Sequence, residues 1–465
     1  MSDHASPASA LKLLFGLMFA AGSSAVSAVE INPDGGGQAV ISPLWATTGG
    51  HNTLMSVTSM INEANDAPQV AAFRLFDKDG GTVFAASIYF RRPGDQWTLG
   101  IGSAGNGTSV LKSNDSTCAL VAGDGGPMPL QGEVQIDADY GYATVIGMGS
   151  VEGDVPRELM DVADCAALAT YWNAGAWKDA PDEGLSRPAL FDMETMMIAV
   201  EGGVLFDIPP TSLSRFSDIP QHRPPSNSLP NLGSAHDAGT AGNATTGRRC
   251  IDSNCDESTF STPLEAMDYA LSVPVLESNY LIEPSMAART EVVFTAPLGR
   301  LKRDSGITGR AAYPLVGIKY FNRDGWHLGG SGGICPGVPP PGGCPWGFEI
   351  RQSVLALPVI PERSMYASDE IISEPSGIPM PDYEELPSYW RHFLPVIYPT
   401  SVVDYTAGRI SAFNDAIWHG SGADSAVIGI TLMQVTNGYL HDADGNRVLA
   451  NYGKASAMRR AQGDQ

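Results

Sequence analysis

QVAAFRLFDKDGGTVFAASIYF, residues 69–90, is the stretch on which the fold turns. Two apolar runs, 69–76 and 82–90, flank Asp77-Lys78-Asp79-Gly80-Gly81. Val, Ile, Phe and Tyr suit a pleated, half-buried backbone. Asp and Gly supply local hydrogen bonds and the left-handed conformation that a tight reversal needs. The segment therefore reads as an antiparallel hairpin.

The same grammar recurs on either side. Upstream, residues 38–61 alternate between apolar stretches, QAVISPLWATT and then HNTLMSVTSMIN, with a Gly-Gly turn at 49–50. Downstream, strands are expected at 97–101, 108–111, 133–136 and 140–149. The last lies in YGYATVIGMGSV, whose glycines suit a strand with close backbone approach or a bulge. Residues 155–177 change period. Leu159, Val162, Leu168 and Trp172 recur at helical spacing, so one or two short helices are expected over an end of the sheets. Strands resume at 193–208 around Gly202-Gly203. Further strands are expected at 290–298, 311–322, 349–360 and 425–440, with a turn at 442–446 and RVLANYG returning. Residues 382–393 suit a short helical turn.

This pattern predicts an all-β fold, mainly antiparallel, with a few short helices and two β-sandwich domains. Residues 29–208 form the first domain and 263–465 the second. Between them, 209–262 is rich in Pro, Ser, Asn, Gly and Thr and poor in large apolar residues. Such a segment reads as a linker or an insertion, with too little to bury to offset its ordering entropy.

Residues 1–28 read as a secretory signal peptide. Lys12 gives a weak positive start, Leu13 to Ala21 an apolar run, and Val26 and Ala28 the small residues before a cleavage site. The apolar run is too short to span a bilayer, and no other stretch reaches that length. Export to the periplasm, cell surface or extracellular space is the expectation, with no transmembrane segment in the mature chain. The formal charge is −23. That surface repels nucleic acid and anionic membranes. Charged residues make up only 17%, while Gly and Pro together number 86 of 465, as turn-rich β proteins require.

Six cysteines fit an oxidising compartment. Chain order suggests Cys118 with Cys165, Cys250 with Cys255, and Cys335 with Cys344, although fifteen pairings exist on paper. No Cys-x-x-Cys or nearby His set points to a metal, and no cofactor motif is present.

Several stretches resemble a group of uncharacterised exported bacterial proteins. They are INPDGGGQAVISPLW, NTLMSVTSMIN, VAAFRLFD, DSTCAL with ADCAAL, TEVVFTAPLGR, the Cys-bearing loop after FNRDG, and IGITLMQVTNG with LANYGKASAMRR. The resemblance spans most of the chain after residue 28 and is least evident over 209–262. It implies export and a β-rich fold. It carries no activity and no site residues.

Candidate sites are sparse. Gly329 to Gly333 fits G-x-S-x-G around Ser331, but a Cys-Pro loop follows where a nucleophile turn needs a helix. Asp77/Asp79 and Asp442/Asp444 read as turns, since neither stretch has the closing Glu of a calcium loop. The eight histidines are scattered, and the 51 carboxylates offer pairs that only geometry can sort. Trp326 and Trp346 flank the Cys335–Cys344 loop and are the candidates for stacking on a sugar ring. Asn106-Gly107-Thr108 matches a glycosylation sequon, expected to go unused in a bacterium. The leading expectation is a non-enzymatic structural or interaction protein with a protein or glycan partner. A polysaccharide hydrolase and a carbohydrate-binding protein are the alternatives.

Overall fold

The computed structural model describes residues 28–60, 66–161, 164–236, 245–281, 288–306, 317–323, 327–328, 352–357, 407–413, 426–436, 439–441, 443–449 and 451–461. It is an antiparallel all-β protein with four helices among these residues. The strands of the first half are β1 (Glu30–Ile31), β2 (Ala39–Ala46), β3 (His51–Ser59), β4 (Gln69–Asp77), β5 (Thr82–Phe90), β6 (Gln96–Gly105) and β7 (Thr108–Lys112). They continue with β8 (Cys118–Gly123), β9 (Gly126–Pro129), β10 (Glu133–Ile136), β11 (Tyr140–Val151), β12 (Leu185–Ser186), β13 (Phe191–Ala199), β14 (Val204–Ile208) and β15 (Thr211–Ser214). Helices α1 (Asp154–Asp161) and α2 (Cys165–Ala174) lie between β11 and β12.

The opening hairpin is β4–β5, with Phe73 opposite Ala86. Its turn works as the residue types required. The Asp77 carboxylate accepts the N–H groups of Asp79 and Gly81 at 3.0 and 2.6 Å. The hairpin sits in a large sheet of order β1-β15-β2-β11-β4-β5-β8-β9, with β12 beside β11. A second sheet, β10-β7-β6-β3-β13-β14, packs against it. Their shared core holds Trp45, Phe73, Ile88, Phe90 and Val145 from the first sheet against Val57, Trp97, Ile101, Leu111 and Phe191 from the second.

Strand β3 alternates buried and more exposed residues, as a one-sided strand should. Strands β2 and β11 do not: all eight and all twelve residues are buried. The large sheet is therefore covered on both faces. Over Val70, Tyr89, Leu120 and Met148 lie Met160, Leu168, Trp172 and Trp177 from the α1–α2 region. Over Ala39, Ile41 and Ile146 lie Phe216, Leu232 and Ala235. Beside them packs a third helix, α3 (Pro263–Leu271), through Ala266, Met267, Ala270 and Leu271.

The stretch 209–262, expected to bury little, supplies much of this cover. Its irregular part is held by polar side chains from the sheet. Arg74 on β4, 4% exposed, donates to the carbonyls of Asn227, Leu229 and Pro230. Gln38 donates to the Ser217 carbonyl at 2.8 Å and accepts from the Ser217 N–H at 3.0 Å. Residues 245–260 form a hairpin, β16 (Thr245–Ile251) with β17 (Asn254–Phe260). Val29 joins this hairpin by donating to Thr246 O and accepting from Arg248 N, both at 2.9 Å. Ala28, assigned to the leader by the sequence, and Val29 have no exposed surface.

The second half comprises β18 (Val275–Leu281), β19 (Ala288–Thr295), β20 (Gly317–Asn322), β21 (His327–Leu328), β22 (Ser353–Leu357), β23 (Ala407–Phe413) and β24 (Ile428–Val435). It ends with β25 (Tyr439–His441), β26 (Arg447–Leu449), β27 (Tyr452–Ala457) and β28 (Arg459–Ala461); helix α4 (Gly299–Asp304) follows β19. Two sheets, β21-β20-β23-β18-β28 and β22-β19-β24-β27, enclose a smaller core around Leu276, Tyr280, Phe294 and Ile410. The two halves share a third core. Leu44, Tyr140, Met197 and Phe206 meet Val293, Ile430 and Leu432. Thr295 Oγ1 donates to Pro43 O at 2.7 Å across this junction. Lys302 and Asp268 form a buried ion pair at 2.6 Å between α4 and α3.

Two of the expected disulfides are present: Cys118–Cys165 ties β8 to the start of α2, and Cys250–Cys255 joins opposed residues of the β16–β17 hairpin. Cys335 and Cys344 lie outside the described residues, as do Ser331, Trp326, Trp346, Asp442 and 382–393.

Between α2 and the irregular cover lies a closed polar relay. His222 has no exposed surface and its ring centroid is 4.5 Å from those of both Trp172 and Trp177. Its Nδ1 faces the Pro181 carbonyl at 2.7 Å, so that nitrogen carries the proton. Nε2 then accepts from Tyr89 Oη at 3.1 Å, and Tyr89 Oη accepts from Trp172 Nε1 at 2.6 Å. Burial pulls the imidazole pKa down to about 4 from 6.5. Between those values the unfolded chain binds a proton that the folded chain refuses. The contribution is complete above pH 6.5 and is lost as pH falls toward 4, about 3 kcal/mol in all.

Urea unfolding at pH 7.0 and pH 4.5 checks this. The parent should lose stability between the two, and His222→Gln, though weaker at pH 7, should lose about 2 kcal/mol less; an unchanged pH slope in the variant refutes the role. Separately, Cys118→Ala with Cys165→Ala should cost about 2–4 kcal/mol in the same assay, and no loss would show that the bridge is idle.

Candidate functional site

At one end of the first sandwich three loops converge on an open cleft of about 450 Å3. They are the β2–β3 turn, the β6–β7 turn and the approach to β11. The lining is Thr47, Thr48, Gly49, Gly50, His51, Asn52, Ser103, Gly105, Asn106, Gly107, Thr108 and Asp139. Each is polar or glycine.

The sequence builds the β6–β7 hairpin tip and the β2–β3 crossover, which carries the chain from one sheet to the other, from residues that accept positive φ. Asn106 sits at φ 55° between Gly105 at 84° and Gly107 at 74°. Asn-Gly is the pair that matches the right-handed twist of flanking strands in a two-residue reversal. Gly49 and Gly50 take positive φ in the β2–β3 crossover, at 62° and 81°.

Buried hydroxyls knit the loops together. Thr47 Oγ1 and Ser109 Oγ are 2.6 Å apart, and Ser109 Oγ donates to Ala138 O at 2.7 Å. The Thr47 N–H donates to Asp139 O at 2.8 Å. Thr53 Oγ1 donates to Ala46 O at 2.7 Å and accepts from Ala46 N at 3.0 Å. Thr47, Thr53 and Ser109 are all buried, so these bonds are shielded from water. His51 is buried too, its Nδ1 3.0 Å from Thr48 O and its ring against Phe206.

What faces the opening is different in kind. Asn52, Ser103 and Asn106 are exposed and Asp139 is half-buried. The Thr48 hydroxyl is shielded from solvent and has no hydrogen-bond partner in the protein. A methyl group on Gly50 or Gly105 would meet nothing within 4 Å, so the backbone there is open to close approach. The arrangement offers hydrogen-bond donors and acceptors on fixed backbones, one carboxylate, and no lysine or arginine.

Sequence reasoning treated this region as turns and did not nominate it. Asn106 entered only as part of a sequon. The signal that could have found it is two Gly-rich reversals, each bordered by Thr, Ser and Asn. The described tryptophans Trp45, Trp97, Trp172 and Trp177 are buried and present no stacking surface. Among the described residues, no group of three or more His, Cys, Asp or Glu is placed to hold a metal ion. No helix of the described residues is long and apolar enough to cross a membrane. Comparison with protein-family models, curated proteins and solved structures finds no match to this chain.

If the hydroxyl ladder sets the cleft, Ser109→Ala should cost about 1–2 kcal/mol in urea unfolding. Adding Thr47→Val should cost less than the two single changes summed, since both act on one bond; strict additivity would contradict the ladder.

Proposed function

We propose that the chain is a non-enzymatic exported protein of the interaction class, working in a bacterial periplasm or at the cell surface. It takes its partner at the loop-tip cleft. The observation that carries this reading is the cleft's construction: partner-facing polar groups stand on loops pinned by buried hydroxyl bonds. Preorganised polar groups on a rigid scaffold lower the ordering cost of binding. Binding residues commonly sit on loops held by such scaffolds. The disulfides and the fused cores supply the rigidity. They also suit an oxidising compartment. Glycoside hydrolysis uses two carboxyl groups across the substrate. The cleft's lining holds one, Asp139.

Fractionation of expressing cells should place the protein outside the cytoplasm, with a mature start at Val29 by N-terminal sequencing. Envelope extracts passed over the immobilised protein should yield a partner whose retention drops with Asp139→Arg. Full-length protein in the cytoplasm, or capture indifferent to Asp139, would sink the reading.

A further inference from the structure

We infer that the ligand of this cleft is a neutral polyhydroxylated molecule, a sugar ring or short glycan presenting adjacent hydroxyl groups. The ligand class rests on the cleft being the recognition site, and it is argued from the chemistry of the lining.

An apolar ligand gains its affinity from aliphatic and aromatic walls. Here no lining residue is Val, Leu, Ile, Met, Phe, Tyr or Trp. An anionic ligand needs Lys or Arg, or a helix end aimed at it. The lining has neither and would set Asp139 against the charge, on a chain that is already −23. A bound calcium ion takes six to eight oxygens, several of them from carboxylates. One carboxylate is on offer.

A ligand whose hydroxyls both donate and accept matches the mixed donors and acceptors of this lining. The lining suits it atom by atom. Asp139 adds carboxylate acceptors to the lining. Asn52 and Asn106 each present one acceptor and two donors, and so can bridge neighbouring oxygens. Ser103 and Thr48 are ambivalent. The Thr48 hydroxyl gives the independent pointer: it is shielded, bonded to nothing in the protein, and belongs to the lining. Leaving such a group unpaired is unfavourable, and a hydroxylated ligand would pair it.

Two further details fit a flat, polar ligand. Gly50 and Gly105 leave bare backbone at the rim, where a side chain would stand off a ring. Gly102 lies beneath Asn52, and a methyl there would come within 3.2 Å of Asn52 Oδ1. The volume of about 450 Å3 falls within the range of small-molecule sites.

The test is a glycan array with the full-length protein, then calorimetry with the best neutral glycan. Asp139→Ala and Asn52→Ala should each weaken binding by about tenfold or more. Asp124→Asn, on the β8–β9 turn, should bind as the parent does. Affinity should change less than about twofold between roughly 0.05 and 0.5 M salt, because no net charge is paired. Circular dichroism establishes that each variant is folded; a variant that is not is replaced by Ser103→Ala, whose side chain is exposed. No neutral glycan bound, binding indifferent to Asp139 and Asn52, or affinity that collapses with salt would each overturn the sugar assignment. If an envelope protein is captured in an Asp139-dependent way while no glycan binds, the cleft remains a recognition site and only the ligand class is wrong. If neither binds, both readings fall.

Discussion

A sheet that is apolar on both faces must be covered twice, and the rest of this molecule follows from that requirement. Strands β2, β4 and β11 lie side by side and present almost no residue to water. A single sandwich partner would leave the opposite face bare, a patch far larger than soluble surfaces carry. The six-stranded sheet covers one side. The other side is shared among α1 and α2, the irregular chain from Arg215 to His236, helix α3, and the second sandwich. The second half is thus not tethered to the first. It completes it.

An irregular cover brings a difficulty that a helix or sheet does not. Its carbonyl and N–H groups have no ladder to join, and buried ones must still be paired. The large sheet answers with polar side chains directed into the cover. Arg74 and Tyr89 reach it from strand positions where apolar residues would otherwise stand, and Gln38 from the bend just before β2. Arg74 is costly there; burial pulls its pKa down to about 10, yet it stays charged at neutral pH. Three carbonyls around the guanidinium offset that cost in part. Polar recognition inside the fold and polar recognition at its tip therefore use one device: hydrogen bonds sheltered from water.

Much of the fold was legible in the residues. Hairpin β4–β5, the helices around Leu159 and Trp172, and two disulfides follow from patterns that act locally, whereas β2 and β3, joined by the Gly49-Gly50 turn, enter different sheets. The cover was not, because its composition is that of a loop and its apolar residues are few. Phe216, Leu232 and Ala235 count only because a second apolar face waits beneath them. One sign was available: AVISPLWA and YGYATVIGMGSV lack the alternation of HNTLMSVTS, which marks strands buried on both sides. Helix α3 was missed, although Thr262-Pro263-Leu264-Glu265 forms a capping box with proline in the first turn. The cleft was hidden for a different reason. Thr, Ser, Asn and Gly serve ordinary turns everywhere, and only the meeting of three distant loops makes them a site. The tryptophans proposed for stacking, Trp326 and Trp346, lie outside the described residues.

The closure of Val29 by the β16–β17 hairpin sets a clock on biogenesis. Glu30 and Arg248, ion partners in the finished protein, are 218 residues apart in the chain. At ribosomal speeds the second is made on the order of ten to forty seconds after the first. For that interval the leading strand has no hairpin to dock on, and its backbone edge stays open to other chains. Whatever handles the nascent polypeptide must shelter that edge until residue 260 has emerged.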